Sequence, residues 1–169
     1  MTYSAAKRKL RFELIGMFPF VLLGKIAGFL YTLKTRHRVF LFFPNGDFGG
    51  SPQVNIDITH CIRDKKPLII FSKKAGNNLF REKYNMEGVR VLDIHKYVDN
   101  KFFHFINFFF RGVLSVWINK QENAIVFGGE SIFFYKIIPH LKSHVHCVEL
   151  CHLPTWLPYS IGFTDRINL

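Results

Sequence analysis

Val39-Phe40-Leu41-Phe42-Phe43-Pro44-Asn45-Gly46-Asp47-Phe48-Gly49-Gly50-Ser51-Pro52 is the stretch that decides the fold class. Five apolar residues in a row, without polar alternation, suit a strand covered on both faces, as in a parallel sheet. Pro44-Asn45-Gly46 closes that strand, and Asp47-Phe48-Gly49-Gly50 makes a glycine loop. Ser51 then reads as an N-cap with Pro52 at the first helical position, and the helix reaches to about Asp64, with Val54, Ile58 and Cys61–Ile62 on one side. Outward from there the same alternation repeats. Leu68–Phe71, Val89–Leu92, Ala124–Phe127 and Val145–Leu150 read as further strands. Asn77–Met86, Tyr97 to about Gln121, and Ser131–Leu141 broken near Pro139 read as the helices between them. Strands alternating with helices predict an α/β fold on a parallel sheet.

The helix from Tyr97 is the most unusual of these. Its polar residues Lys101, His104, Asn107, Arg111 and Ser115 form one narrow stripe, and the rest is apolar and rich in Phe. So wide an apolar arc requires either a second covering layer or contact with lipid.

The chain has 169 residues, of which 49% are hydrophobic and 17% aromatic, a composition that excludes disorder and suits one domain with a real core. The net charge of +11 is concentrated at one end: residues 1–38 carry eight bases against Glu13, giving +7. A basic excess confined to the N-terminus is not the footprint of a nucleic-acid binder. Within it, Leu14–Leu33 is a 20-residue apolar stretch interrupted by Pro19, Lys25 and three glycines. Its eleven Leu, Ile, Phe and Val residues favour insertion by about 3 to 6 kcal/mol, and a mid-span lysine opposes it by about 3. Basic flanks on both sides, Lys7-Arg8-Lys9 with Arg11 and then Lys34 with Arg36, suit a helix lying in the interface of an anionic membrane. Contact would run through those cations and through Phe18 and Phe20. A spanning anchor, a signal peptide and a helix packed on the domain are the alternatives. Cys61, Cys147 and Cys151, an odd and scattered set, argue against a disulfide framework and for reducing cytosol.

Ligands of open parallel sheets sit beyond the carboxyl ends of the strands. The loops there are 44–51, 72–76, 93–95, 128–131 and 151–156. The first has the parts of a phosphate site, because small residues let amides approach an anion at a helix start. Gly46, Gly49 and Gly50 nonetheless fit neither G-x-G-x-x-G nor a P-loop, and the second strand ends in Ser72-Lys73-Lys74 where an NAD site wants an acid. His140, His144, His146 and His152 with Cys147 and Cys151 invite a zinc reading, but strand geometry sets Cys147 and Cys151 about 13 Å apart, too far for one ion. No G-x-S-x-G elbow is present. Glu130, after Gly128-Gly129, suits a ligand for sugar hydroxyls, a base, or a helix cap. His152 is a site residue or a loop residue bonded to backbone.

Taken together, Gly49-Gly50, Phe127-Gly128-Gly129-Glu130-Ser131, and Val148-Glu149-Leu150-Cys151-His152-Leu153 with Trp156 near Tyr159-Ser160 resemble the N-terminal half of bacterial GT-B glycosyltransferases of the family-4 kind. The resemblance runs from about Val39 to the C-terminus. It implies a Rossmann-like domain over 39–169 with helices on both faces, preceded by a basic apolar helical segment over 1–38. By resemblance the domain binds a glycan or lipid-linked acceptor, Gly49, Gly50 and Ser51 approach the diphosphate of a nucleotide-sugar donor, and His152 lies near the sugar. Asp47, Glu130 and His152 are the expected catalytic candidates. Many such enzymes dock on the inner membrane through a basic, aromatic surface, which implies a peripheral position on its cytoplasmic face. No metal cofactor and no nucleic-acid partner are expected. The family's donor-binding second domain should begin after a strand following Asp165-Arg166-Ile167, and the sequence stops at Leu169. The expectation is therefore half of an enzyme, either a truncated product or a module completed by a partner chain. A membrane-binding scaffold, or another Rossmann-like enzyme such as a methyltransferase or oxidoreductase, stands as the alternative.

Overall fold

The computed structural model describes residue 8 and residues 11–13, 15–31, 37–100, 102 and 104–150. Five strands, β1 (Val39–Phe43), β2 (Leu68–Phe71), β3 (Arg90–Asp93), β4 (Ile125–Gly129) and β5 (His146–Leu150), form one sheet in the order β3-β2-β1-β4-β5. Every pairing is parallel, with Phe42 level with Ile70 of β2 and Gly128 of β4. β1 is central and all five of its residues are buried, which is why its run lacks polar alternation.

The helices are α1 (Phe18–Tyr31), α2 (Gly50–Cys61), α3 (His95–Val98), α4 (His104–Asn119) and α5 (Ile132–Ile137). They cover both faces of the sheet. Phe40, Phe42, Ile70 and Val126 pack against Leu114, Trp117 and Ile118 of α4 and Phe133 and Phe134 of α5. Leu41, Phe43, Ile69 and Phe71 turn the other way, toward Ile56 of α2 and toward Phe80 and Tyr84. Each such Phe or Ile contributes about 1.5–3 kcal/mol when fully buried. This is a Rossmann-like α/β arrangement.

The wide apolar arc of α4 is explained by a second layer. α1 lies along α4, with Gly24 against the backbone of Phe109 and Gly112 against the carbonyl of Val21. A Cβ on Gly28 would come 2.8 Å from the Val113 carbonyl oxygen. Only glycine permits backbones this close, so Gly24, Gly28 and Gly112 fix the crossing. Phe20 meets Phe105 at 5.3 Å between ring centres, and Glu13 pairs with His104 at 2.5 Å. At the other end Lys120 donates to the Phe29 carbonyl at 3.2 Å. The two helices therefore run parallel. The part of the polar stripe formed by Asn107, Arg111 and Ser115 points inward, all three being buried, whereas His104 at its start is partly exposed.

Three boundaries and one helix face differ from the sequence reading. The helix expected over 77–86 is a single 3-10 turn, Arg81–Tyr84, because residues 72–80 are tied down as a loop. The helix expected from Tyr97 starts as the short α3, with α4 beginning at His104. α2 has Gly49, not Ser51, at its N-cap. Its buried side is Asn55, Ile56 and Thr59, whereas Val54 and Cys61 are exposed. No helix among the described residues is long and apolar enough to cross a membrane.

Candidate functional site at the strand-order reversal

Strand order reverses between β1 and β4, and the loops that follow their carboxyl ends frame the crevice where ligands of open parallel sheets bind. Two side-chain bridges join the elements around it. Ser51, in the first turn of α2, donates its hydroxyl to Glu130 Oε2 at 3.0 Å. Ser72, after β2, meets Ser131 at 3.1 Å between hydroxyl oxygens, in a fully enclosed contact. Beside these bridges lies a cleft of about 370 Å³ lined by Ser72, Lys73, Asp99, Asn107, Glu130 and Lys136.

Glu130 is held in an unusual way. Its φ is +56°, in the left-handed region that L side chains other than Asn and Asp avoid. Such a backbone costs on the order of 1 kcal/mol and persists where the surroundings over-determine it. The chain leading into Glu130 is tightly packed: a Cβ on Gly128 would strike the Phe134 ring, and one on Gly129 would lie 2.5 Å from Asn55 Oδ1. Ser51 occupies only one carboxylate oxygen, and Oε1 has no hydrogen-bond partner among the described residues. A carboxylate so presented can accept hydrogens from ligand hydroxyls.

The glycine loop approaches the same crevice. Gly49 is extended, with φ 161°, and delivers the chain into α2. Its carbonyl accepts the Gln53 N–H at 3.1 Å, while the amides of Gly50 and Ser51 belong to the first turn, where no intrahelical acceptor exists. Asn55, on the next turn, is 1% exposed, and its Oδ1 has no hydrogen-bond partner among the described residues.

Of the sequence-predicted residues, Ser51 and Glu130 are brought together directly, with Gly49 and Gly50 beside them. Asp47 is not part of that cluster. Its carboxylate accepts the backbone N–H groups of Gly76, Asn77 and Asn78 at 2.8–3.0 Å and the Asn45 side-chain amide at 2.8 Å. These bonds, that of Gly76 foremost, hold its pKa below the usual carboxylate value. Asp47 is thus a tie for the loop after β2, and a carboxylate so stabilised as an anion makes a weak base. His152, with Lys7, Lys9, Lys34 and Arg36, lies outside the described residues. Arg8, Arg11 and Phe18 are exposed, whereas Phe20 is half-buried against α4. Among the described residues no three His, Cys, Asp or Glu side chains converge as a metal site.

Sequence reasoning missed three members of the site. Ser72 and Ser131 meet across 59 residues, and no local pattern announces such a pairing. Asn107 donates to the Val98 carbonyl at 2.9 Å and accepts from Arg111 Nε at 2.8 Å, so a buried guanidinium backs the cleft wall. The signal for that pair was the three- and four-residue spacing of the α4 stripe. Compared with known proteins, the sequence matches no family model, and no curated protein or solved structure matches it significantly.

Proposed function

We propose that this chain is the acceptor-side half of a glycosyltransferase that moves a sugar from a nucleotide-sugar to a glycan or lipid-linked acceptor during surface polysaccharide assembly. The observation that carries the reading is the crevice where Ser51 and Glu130 meet beside a glycine loop. Glu130 offers its carboxylate to acceptor hydroxyls. The amides of Gly50 and Ser51 offer positive dipole to a leaving diphosphate, the charge that grows as the sugar departs. The donor half of the reaction cleft comes from a second α/β domain, in this or another chain, and the chemistry needs no metal.

The reading places the protein on the cytoplasmic face of the inner membrane, held through α1. Phe12, Ile15, Phe18, Leu22, Leu23, Ile26, Phe29 and Leu30 are all exposed, a patch that water does not favour. Arg8 and Arg11 are exposed at its start, and the neighbouring bases of residues 1–38 add attraction to anionic lipid.

Titration with UDP-sugars, S-adenosylmethionine and NADP tests the enzymatic reading. Weak binding of all three, with nucleotide-sugar turnover appearing only when a donor domain is added, is the expected result. Tight binding of S-adenosylmethionine or NADP would refute it. The exposed face of α1 equally favours a second reading, a membrane-binding scaffold without catalysis. Liposome co-sedimentation at low and high salt, with and without residues 1–38, tests the membrane element common to both, and undiminished binding by the truncated form would remove it.

A further inference from the structure

A second, smaller cleft of about 130 Å³ adjoins the first, at the carboxyl ends of β2 and β3. Asn45, Lys73, Lys74, Asn78, Asp93 and His95 line it, and Lys73 lines both clefts. Its charges are unevenly matched. Asp93 is answered twice: Oδ1 meets His95 Nδ1 at 2.6 Å and the His95 backbone N–H at 3.2 Å, while Oδ2 faces the Arg81 guanidinium at 3.9 Å. Neither Lys73 nor Lys74 makes an ion pair among the described residues. With its carboxylate already neutralised, the cleft presents two lysines and an imidazole held by Asp93 at Nδ1, which directs Nε2 to other partners.

The backbone that carries the lysines is also fixed in place. The backbone N–H groups of Ser72 and Lys73 donate to the Pro44 carbonyl at 3.1 and 2.8 Å. The Lys74 N–H donates to Asp99 at 3.0 Å, its carbonyl accepts from Asn45 at 3.3 Å, and Asp47 clamps the amides of Gly76, Asn77 and Asn78. A loop ordered in this way has little entropy left to lose when an anion binds. The space admits a phosphoryl group and not a nucleotide.

We propose that this cleft is a phosphoryl subsite, and that the acceptor is a sugar phosphate whose phosphate is held by Lys73, Lys74 and His95 while its ring hydroxyls reach Glu130. The inference rests on the acceptor-side reading given above. Phosphate takes several charge-assisted hydrogen bonds, which the lysine ammonium groups supply, and the His95 ring adds a polar contact beside them. Lys73, standing between the clefts, fixes how far apart phosphate and ring can lie.

The test titrates the full chain with glucose 6-phosphate, inorganic phosphate and methyl glucoside, followed by amide chemical shifts. Glucose 6-phosphate is expected to bind at least tenfold tighter than methyl glucoside, with shifts at both clefts. The double variant Lys73→Ala/Lys74→Ala removes two exposed side chains and should leave the fold intact while erasing that preference. Glu130→Gln is expected to weaken both sugars and leave inorganic phosphate unchanged. Equal affinity for the two sugars, or a preference that survives the double variant, overturns the phosphoryl subsite and leaves the acceptor reading standing. Binding of inorganic phosphate at Lys73 and Lys74 with no response to either sugar overturns the acceptor reading and the sugar-phosphate assignment together. Vesicles containing phosphatidylinositol or, at equal negative charge, phosphatidylserine distinguish the sources. A lysine-dependent excess on phosphatidylinositol identifies a lipid-linked sugar phosphate, and its absence alongside the glucose 6-phosphate preference identifies a soluble one.

Discussion

Glu130 combines a strained backbone with an incompletely engaged carboxylate, and the two properties separate by mutation. Asn tolerates the left-handed region, so Glu130→Asn should change stability by less than about 1 kcal/mol while abolishing binding of sugar hydroxyls. Thermal melts and a methyl glucoside titration measure the two effects. Asp47 should behave in the opposite way. Asp47→Ala removes the acceptor for three amides, and hydrogen exchange at Gly76, Asn77 and Asn78 should quicken by about tenfold or more. A third residue sets a pH dependence. Burial, then the positive charges of Arg111 and Lys25, pull the His140 pKa down to about 4 from an unperturbed 6.5. Below pH 6.5 the unfolded chain therefore takes up a proton that the folded chain refuses, so stability should fall between about pH 6.5 and 4 and level off below. The loss is at most about 3 kcal/mol, and less where water reaches the ring. His140→Asn should flatten that part of the profile in urea titrations. Glu130 and the glycines were legible in the sequence because they follow apolar runs at strand ends. The partnership of Ser51 with Glu130 was not, since it joins residues 79 apart in the chain that meet only once β1 and β4 lie side by side.

Strands were the most legible elements, because Val39–Phe43 and Leu68–Phe71 are buried on both faces and their composition says so directly. Helices were less so. Over 77–86 the residues have ordinary helical propensity, but Asn78 takes φ +56°, which breaks a right-handed helix at its first turn, and the Phe80 N–H donates instead to the Gly46 carbonyl. In α4 the polar stripe was recognised but its direction was open, since periodicity identifies a face without saying what lies against it. The answer came from α1, whose docking depends on close contact at glycine. Gly112→Val would drive a side chain into the Val21 carbonyl, and backbone cannot yield as a flexible side chain can. The expected result is a loss of about 1–3 kcal/mol or release of α1, read as new protease cleavage within residues 18–31 while β1 to β5 stay protected.

At the scale of the whole molecule, the parallel sheet and the ligand loops at the carboxyl ends of its strands followed from the alternation of strands and helices, whereas the order β3-β2-β1-β4-β5, and with it the place of the crevice, came from the structure. The layer formed by α1 did not follow, because a helix that packs on its own domain and one that lies on lipid share the same apolar composition. In this fold α1 has both an inner face bound to α4 and an outer apolar one. That double character has a directional consequence. The chain enters α4 at the carboxyl edge of the sheet and leaves it at the amino edge, so α4 and the parallel α1 run along the strand axis. A bilayer meeting the outer face of α1 would then extend in the same direction as the strands. The mouth between β1 and β4 would open sideways along the lipid surface, within reach of a molecule diffusing in two dimensions, and an acceptor confined to the leaflet would arrive from the flank without leaving it.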